Sequence, residues 1–95
     1  MSNRSKLKVG DKIRLLNVPP EDLEQRKREI AEGIENPGWT ANTIELIIAQ
    51  DPIVVIDFID EYDSPWYVSN ILVEGKKESH TIAVLEDDSW EKVKK

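Results

Sequence analysis

The sequence predicts a mainly β (α+β) fold, a small and strongly bent antiparallel sheet or barrel of five strands with a helical insertion between strands 1 and 2. Three observations predict it. Apolar or alternating runs of four to eight residues recur along the chain, each bounded by Gly, Pro, Asn or Asp. A stretch of strong helix formers, Glu21 to Glu32, separates the first such run from the others. Finally, 95 residues bury only roughly 60 to 65 % of the surface they expose when unfolded, which leaves material for one core.

The first strand is expected over Val9–Leu16, where Val9, Ile13 and Leu15 share one parity and basic side chains lie between them. Pro19-Pro20 ends it, and Pro20 suits the first position of a helix because that position needs no N–H. The helix from Glu21 to Glu32 has acidic residues in its first turn and Gly33 as a stop. Its apolar residues, Leu23, Ile30 and Ala31, form a narrow stripe, so it should lie on the surface. After the turn signal Asn36-Pro37-Gly38, a second short helix capped by Thr40 or Asn42 is expected through Gln50, with strand as its competitor. Ile53–Ile59 is apolar on both parities, which predicts a central strand covered on both faces. Asp60–Pro65 makes a turn, and Trp66–Val73 returns as a strand with Trp66 and Tyr67 on opposite sides. One of these two rings must therefore face outward. Glu74–Lys77 closes a hairpin onto a third meander strand beginning at His80, and Trp90 to Val93 supplies the last strand. Trp39, Trp66 and Trp90 are expected mostly to fill the core.

Charge and missing residue types narrow the chemistry. The formal charge is −6, placed as +1 over residues 1–40 and −7 over residues 41–95. Such acidity argues against sequence-independent nucleic-acid binding, which depends on Lys and Arg displacing counterions from phosphates. There is no cysteine and one histidine, His80, so disulfides, thiol catalysis and thiolate zinc sites are excluded. The amino terminus carries no apolar run of the signal-peptide kind, and no stretch approaches the ~20 apolar residues that span a bilayer, so a cytoplasmic protein with no membrane partner is expected. Two acidic runs, Asp57/Asp60/Glu61/Asp63 and Glu86/Asp87/Asp88, lack the glycine-bearing pattern of a calcium loop and read as solvated turn carboxylates. The glycines are isolated, and no nucleophile stands at a recognisable spacing from His80. Neither a metal nor a cofactor is expected.

The opening Val9-Gly10-Asp11-Lys12-Ile13-Arg14-Leu15 resembles that of small SH3-like barrel modules, and more narrowly of bacterial and phage-borne proteins of that fold. So do Pro37-Gly38-Trp39-Thr40 ahead of Ile53–Asp57 and the closing Leu85–Val93. The resemblance implies an SH3-like five-stranded antiparallel barrel with a long variable loop between strands 1 and 2 and a helical turn before the last strand. It also implies binding rather than catalysis.

The aromatic residues are the group best suited to a binding surface, because large amphipathic rings give contact area at low entropic cost. The expectation is a non-catalytic module, not an enzyme, formed by residues 8–95 behind a flexible basic arm at 1–7. It would bind a protein or peptide of basic or mixed charge through Tyr62, Trp66, Tyr67, Asp60 and Asp63. The alternative is a nucleic-acid-binding barrel using Arg4, Lys6, Lys8, Lys12 and Arg14. A monomer or a weak homodimer is expected, because uncovered strand edges self-associate.

Overall fold

A computed structural model describes residues 4–93 of the chain, in which five antiparallel strands form one open sheet with two helices on one of its faces. The strands are β1 (Lys12–Leu15), β2 (Ile53–Ile59), β3 (Pro65–Val73), β4 (Lys76–Ala83) and β5 (Trp90–Lys92), and the helices are α1 (Pro20–Ala31) and α2 (Trp39–Gln50). The sheet order is β4-β3-β2-β1-β5. β4 and β5 are its two free edges, so the expected closure into a barrel does not occur. The reason lies on the inner face. Ala41, Ile44 and Ile47 of α2 pack into the same cluster as Ile13, Val54, Ile56, Tyr67 and Trp90, so the sheet buries its apolar parity against a helix rather than against itself. Full burial of each such side chain stabilises by about 1.5 to 3 kcal/mol.

Local chemistry moves several boundaries away from the expected ones. β1 begins three residues late, because the Asp11 carboxylate accepts the Lys8 N–H and folds residues 8–11 into a turn that leaves Val9 exposed. β4 begins at Lys76, since Glu74 and Gly75 both take positive φ (52° and 81°) and close a two-residue hairpin. Of the arm expected to be flexible, residues 1–3 lie outside the described residues, Arg4–Lys6 form a 3₁₀ turn, and Leu7 joins the core.

The second helix is settled against strand, and its cap is unlike the one expected. Gly38, in the left-handed region at φ 71°, occupies the N-cap position, and its N–H donates to Glu29 Oε1 of α1 at 2.7 Å. No other residue fits there. A Cβ on Gly38 would sit 2.3 Å from Arg26 Cγ and Cδ. The expected caps are placed differently: Thr40 lies inside α2, and Asn42 joins Arg26 and Glu45 in the polar bridge between the helices, while Thr43 Oγ1 donates to the Trp39 carbonyl. α1 has no buried residue and is held to α2 by these polar contacts, as a surface helix should be.

β2 departs most instructively. It is central, yet only one of its faces is covered. Val54 and Ile56 point inward, whereas Val55 stays 43 % exposed. The register slips between Ile56 and Phe58, which makes Asp57 the extra residue of a β-bulge and accounts for an aspartate in an apolar strand. Beyond the start of β2, Pro52 has no N–H to offer a ladder. There the Gln50 side chain serves instead, its amide donating to the Leu72 carbonyl and accepting the Leu72 N–H, both at 2.9 Å.

Candidate functional site

The bare face of the sheet is built by strand alternation. Pairing sets Val55 beside Val68, and Phe58 beside Trp66 with Ala83 beyond it, all on the side away from the helices. Lys12 flanks Val55, and Arg14 flanks Ile53. The result is an apolar centre with basic residues on its β1 side. Phe58 and Trp66 stack with centroids 5.7 Å apart and planes within 9°. Cross-strand aromatic pairs of this geometry are worth on the order of 1 kcal/mol beyond the area they bury.

The turn after β2 fixes this pair. Asp60 accepts the Trp66 indole N–H on Oδ2 at 2.8 Å, and the backbone N–H groups of Tyr62 and Ser64 on Oδ1. These donors favour the ionised form, the Trp66 indole most, and hold the carboxyl below its ordinary range; the nearby Arg4 charge adds to the effect. Both carboxylate oxygens of Asp60 are thus engaged, Oδ1 by the turn and Oδ2 by Trp66. Asp63 is exposed and takes positive φ (61°) to complete the turn. Tyr62 stands at the tip with 79 % of its surface exposed.

Of the two adjacent rings, Trp66 faces outward and Tyr67 inward. Tyr67 is 2 % exposed in the core and cannot contact a partner, which removes it from the expected binding set. Its hydroxyl is raised well above the ordinary tyrosine range by burial first and by the Asp22 charge second. The tryptophans divide in the same way. Trp90 is buried and donates its indole N–H to the Leu85 carbonyl, whereas Trp39 is 57 % exposed and so is no core residue.

A second feature lies on the helix side, where a groove opens between α2 and the hairpin end of β3 and β4. Trp39, Asn42, Thr43 and Leu46, at i, i+3, i+4 and i+7, form one wall of an open groove of about 530 Å³, and Ile71, Val73, Glu78 and His80 form the other. The Trp39 and His80 rings meet edge to face at 5.3 Å and 61°, and His80 Nε2 lies 3.0 Å from Glu78 Oε1. The sequence pointed to none of this apart from His80. The available signal was Trp39 itself, a large ring placed directly after a turn on a helix whose apolar stripe already lay at Ile44, Ile47 and Ile48.

Several members of the acidic and basic runs are occupied locally. Glu86 pairs with Arg4, whose guanidinium also donates to the Val84 carbonyl, and Asp87 accepts the Ser89 N–H and hydroxyl. Arg14 faces Glu91 at 3.7 Å. Asp57 sits on the bulge away from His80 and outside the groove. Among the described residues, no three His, Asp or Glu side chains converge in a metal-holding arrangement. Nor is any helix among them long and apolar enough to cross a membrane. Comparison with known protein families, with characterised proteins and with solved structures finds no match to this chain.

Proposed function

We propose that the protein is a non-catalytic interaction module whose bare sheet face docks a protein or peptide of basic or mixed charge. The observation that carries this reading is the Phe58–Trp66 stack, half exposed on the helix-free face and oriented by Asp60 before any partner arrives. Pre-oriented aromatic anchors lose little freedom on binding, and exposed apolar patches of this kind mark interaction surfaces. Tyr62 adds a free ring at one end. Asp57, Glu61 and Asp63, all exposed around the turn, give that end the acidity that suits a basic partner. The pairing of Arg4 with Glu86 and of Arg14 with Glu91 weakens the case for the nucleic-acid alternative, because it neutralises part of the basic set.

The strand order also supports an SH3-like reading of the fold. A β2–β3–β4 meander with β1 and β5 added beyond β2, and the helices inserted between β1 and β2, has the strand order expected of such a module, without its closure.

Titration of labelled protein with short basic, mixed-charge and acidic peptides tests the function. Saturable shifts at Phe58, Tyr62 and Trp66 that are lost in Trp66→Ala support it. Shifts that avoid these residues refute it, and a sedimentation profile that depends on concentration and on Trp66 assigns the face to a second copy of the chain instead.

A further inference from the structure

We infer that the groove between α2 and the β3–β4 hairpin is a subsite for a cationic side chain, the guanidinium of an arginine or the ammonium of a lysine, carried by a peptide partner. The inference deepens the interaction-module reading, but it rests on the opposite face of the sheet. Three features of the groove converge on a cation. The Trp39 indole is 57 % exposed at its mouth, and the face of an indole is the strongest π-surface a protein offers to a positive charge. His80 meets this ring edge to face at 5.3 Å, which holds it in place beside Glu78. Glu78 lines the same wall and spends Oε1 on His80, while Oε2 has no hydrogen bond or ion pair among the described residues.

An aromatic face with a spare carboxylate oxygen beside it attracts a cation twice over, and the apolar floor of Leu46, Ile71 and Val73 suits the methylene stem that carries such a charge. The groove's own basic neighbour does not fill this role. Lys76 stands two residues before Glu78 on the same parity of β4, yet it forms no ion pair with Glu78 and does not line the groove. The location favours a peptide over a free amine, because β4 is a sheet edge with backbone groups available to an extended chain.

The probes are the blocked pentapeptide Ala-Ala-Arg-Ala-Ala and its citrulline counterpart, which keeps the shape and removes the charge. Nuclear magnetic resonance titration is expected to give saturable shifts at the Trp39 indole and the His80 ring with the arginine peptide. Citrulline, or the variants Glu78→Gln and Trp39→Ala, should each weaken binding about three- to fivefold, the size of an exposed cation–π or ion-pair contact. Lys76→Ala should strengthen it by relieving like-charge repulsion, a gain that a misfolded variant would not show. Lys27→Gln, at an exposed position of α1 outside the groove, should leave it unchanged. Equal binding of the two peptides, or no saturable shift at Trp39 and His80, overturns the inference. Shifts confined to Phe58, Tyr62 and Trp66 also overturn it while leaving the docking face standing, and shifts confined to the groove do the reverse.

Discussion

Two aromatic pairs, one on each side of the sheet, are each partnered by a carboxylate, and they differ in how much of that carboxylate is left over. On the bare face Asp60 accepts three hydrogen bonds through both of its oxygens, and the parallel Phe58–Trp66 stack is held as a hydrophobic platform. On the helix side Glu78 has a single contact, to His80, and the Trp39–His80 pair stands open at an angle of 61°. The same ingredients therefore make a rigid apolar anchor in one place and a polar recess in the other. What separates them is backbone context. Asp60 sits in a turn whose N–H groups need acceptors, whereas Glu78 lies within an edge strand, outside any turn.

The largest effect should come from removing the ring that lies between the two faces. Tyr67→Ala empties a core position and should lower the unfolding free energy by about 3 kcal/mol or more, while Trp66→Ala, one residue away, should cost about 1 kcal/mol. Urea titration of both variants checks this. Equal losses would mean that the Phe58–Trp66 stack is structural core rather than surface.

Gly38→Ala attacks the second pair through its backbone. The left-handed φ and the contact with Arg26 should together cost about 1 to 3 kcal/mol and move Trp39 off His80. Thermal unfolding reads the first consequence and the His80 ring shifts read the second. An unchanged His80 spectrum would show that the groove does not depend on the cap.

The first pair is open to a pH test. The folded pKa of Asp60 lies below its ordinary value, so its stabilising contribution is present above about pH 4 and is lost as pH falls through the folded value. Asp60→Asn should flatten the acid limb of the stability curve and shift the Trp66 indole N–H resonance at neutral pH. A curve unchanged below about pH 4 would show that the clamp carries no net weight.

The smallest effect belongs to Asp22, whose carboxyl is pushed up, by burial first and then by neighbouring acidic charges. Its sign is opposite. Protonation at falling pH favours the folded state, and Asp22→Asn should remove that gain, on the order of a few tenths of a kcal/mol for a site this exposed. Acid titration of the variant followed by circular dichroism measures it.

How much of this could be read from the chain depends on whether a local rule or a three-dimensional choice decided it. Alternation placed Ile13 and Leu15 inward, and Pro20 opened α1 as its missing N–H dictates. The turn residues marked every connection, although the hairpin at Glu74–Gly75 proved tighter than the charged run around it implied. Closure of the sheet was not legible, because it depends on where α2 docks. The two-sided apolarity of Ile53–Ile59 suggested cover on both faces, and the structure covers one. Those surplus apolar side chains, Val55 and Phe58, lie exposed on the helix-free face, so the excess signalled an exposed apolar surface and was read as a signal of burial. Tyr62 and Trp66 were visible as aromatics beside a turn. The groove was not, since Trp39 and His80 are 41 residues apart in the chain and meet only because α2 crosses the inner face over β3.

The Gln50 amide has a consequence for what the protein must not bind. It matches the hydrogen-bonding pattern of a peptide unit and so plugs the notch in the sheet where β2 runs out and β3 continues. A glutamate there would present oxygens to the Leu72 carbonyl and unplug it. The exposed rung would then invite a foreign strand into the middle of the sheet rather than along its edge, and a lasting tangle between copies would follow where a reversible encounter was wanted.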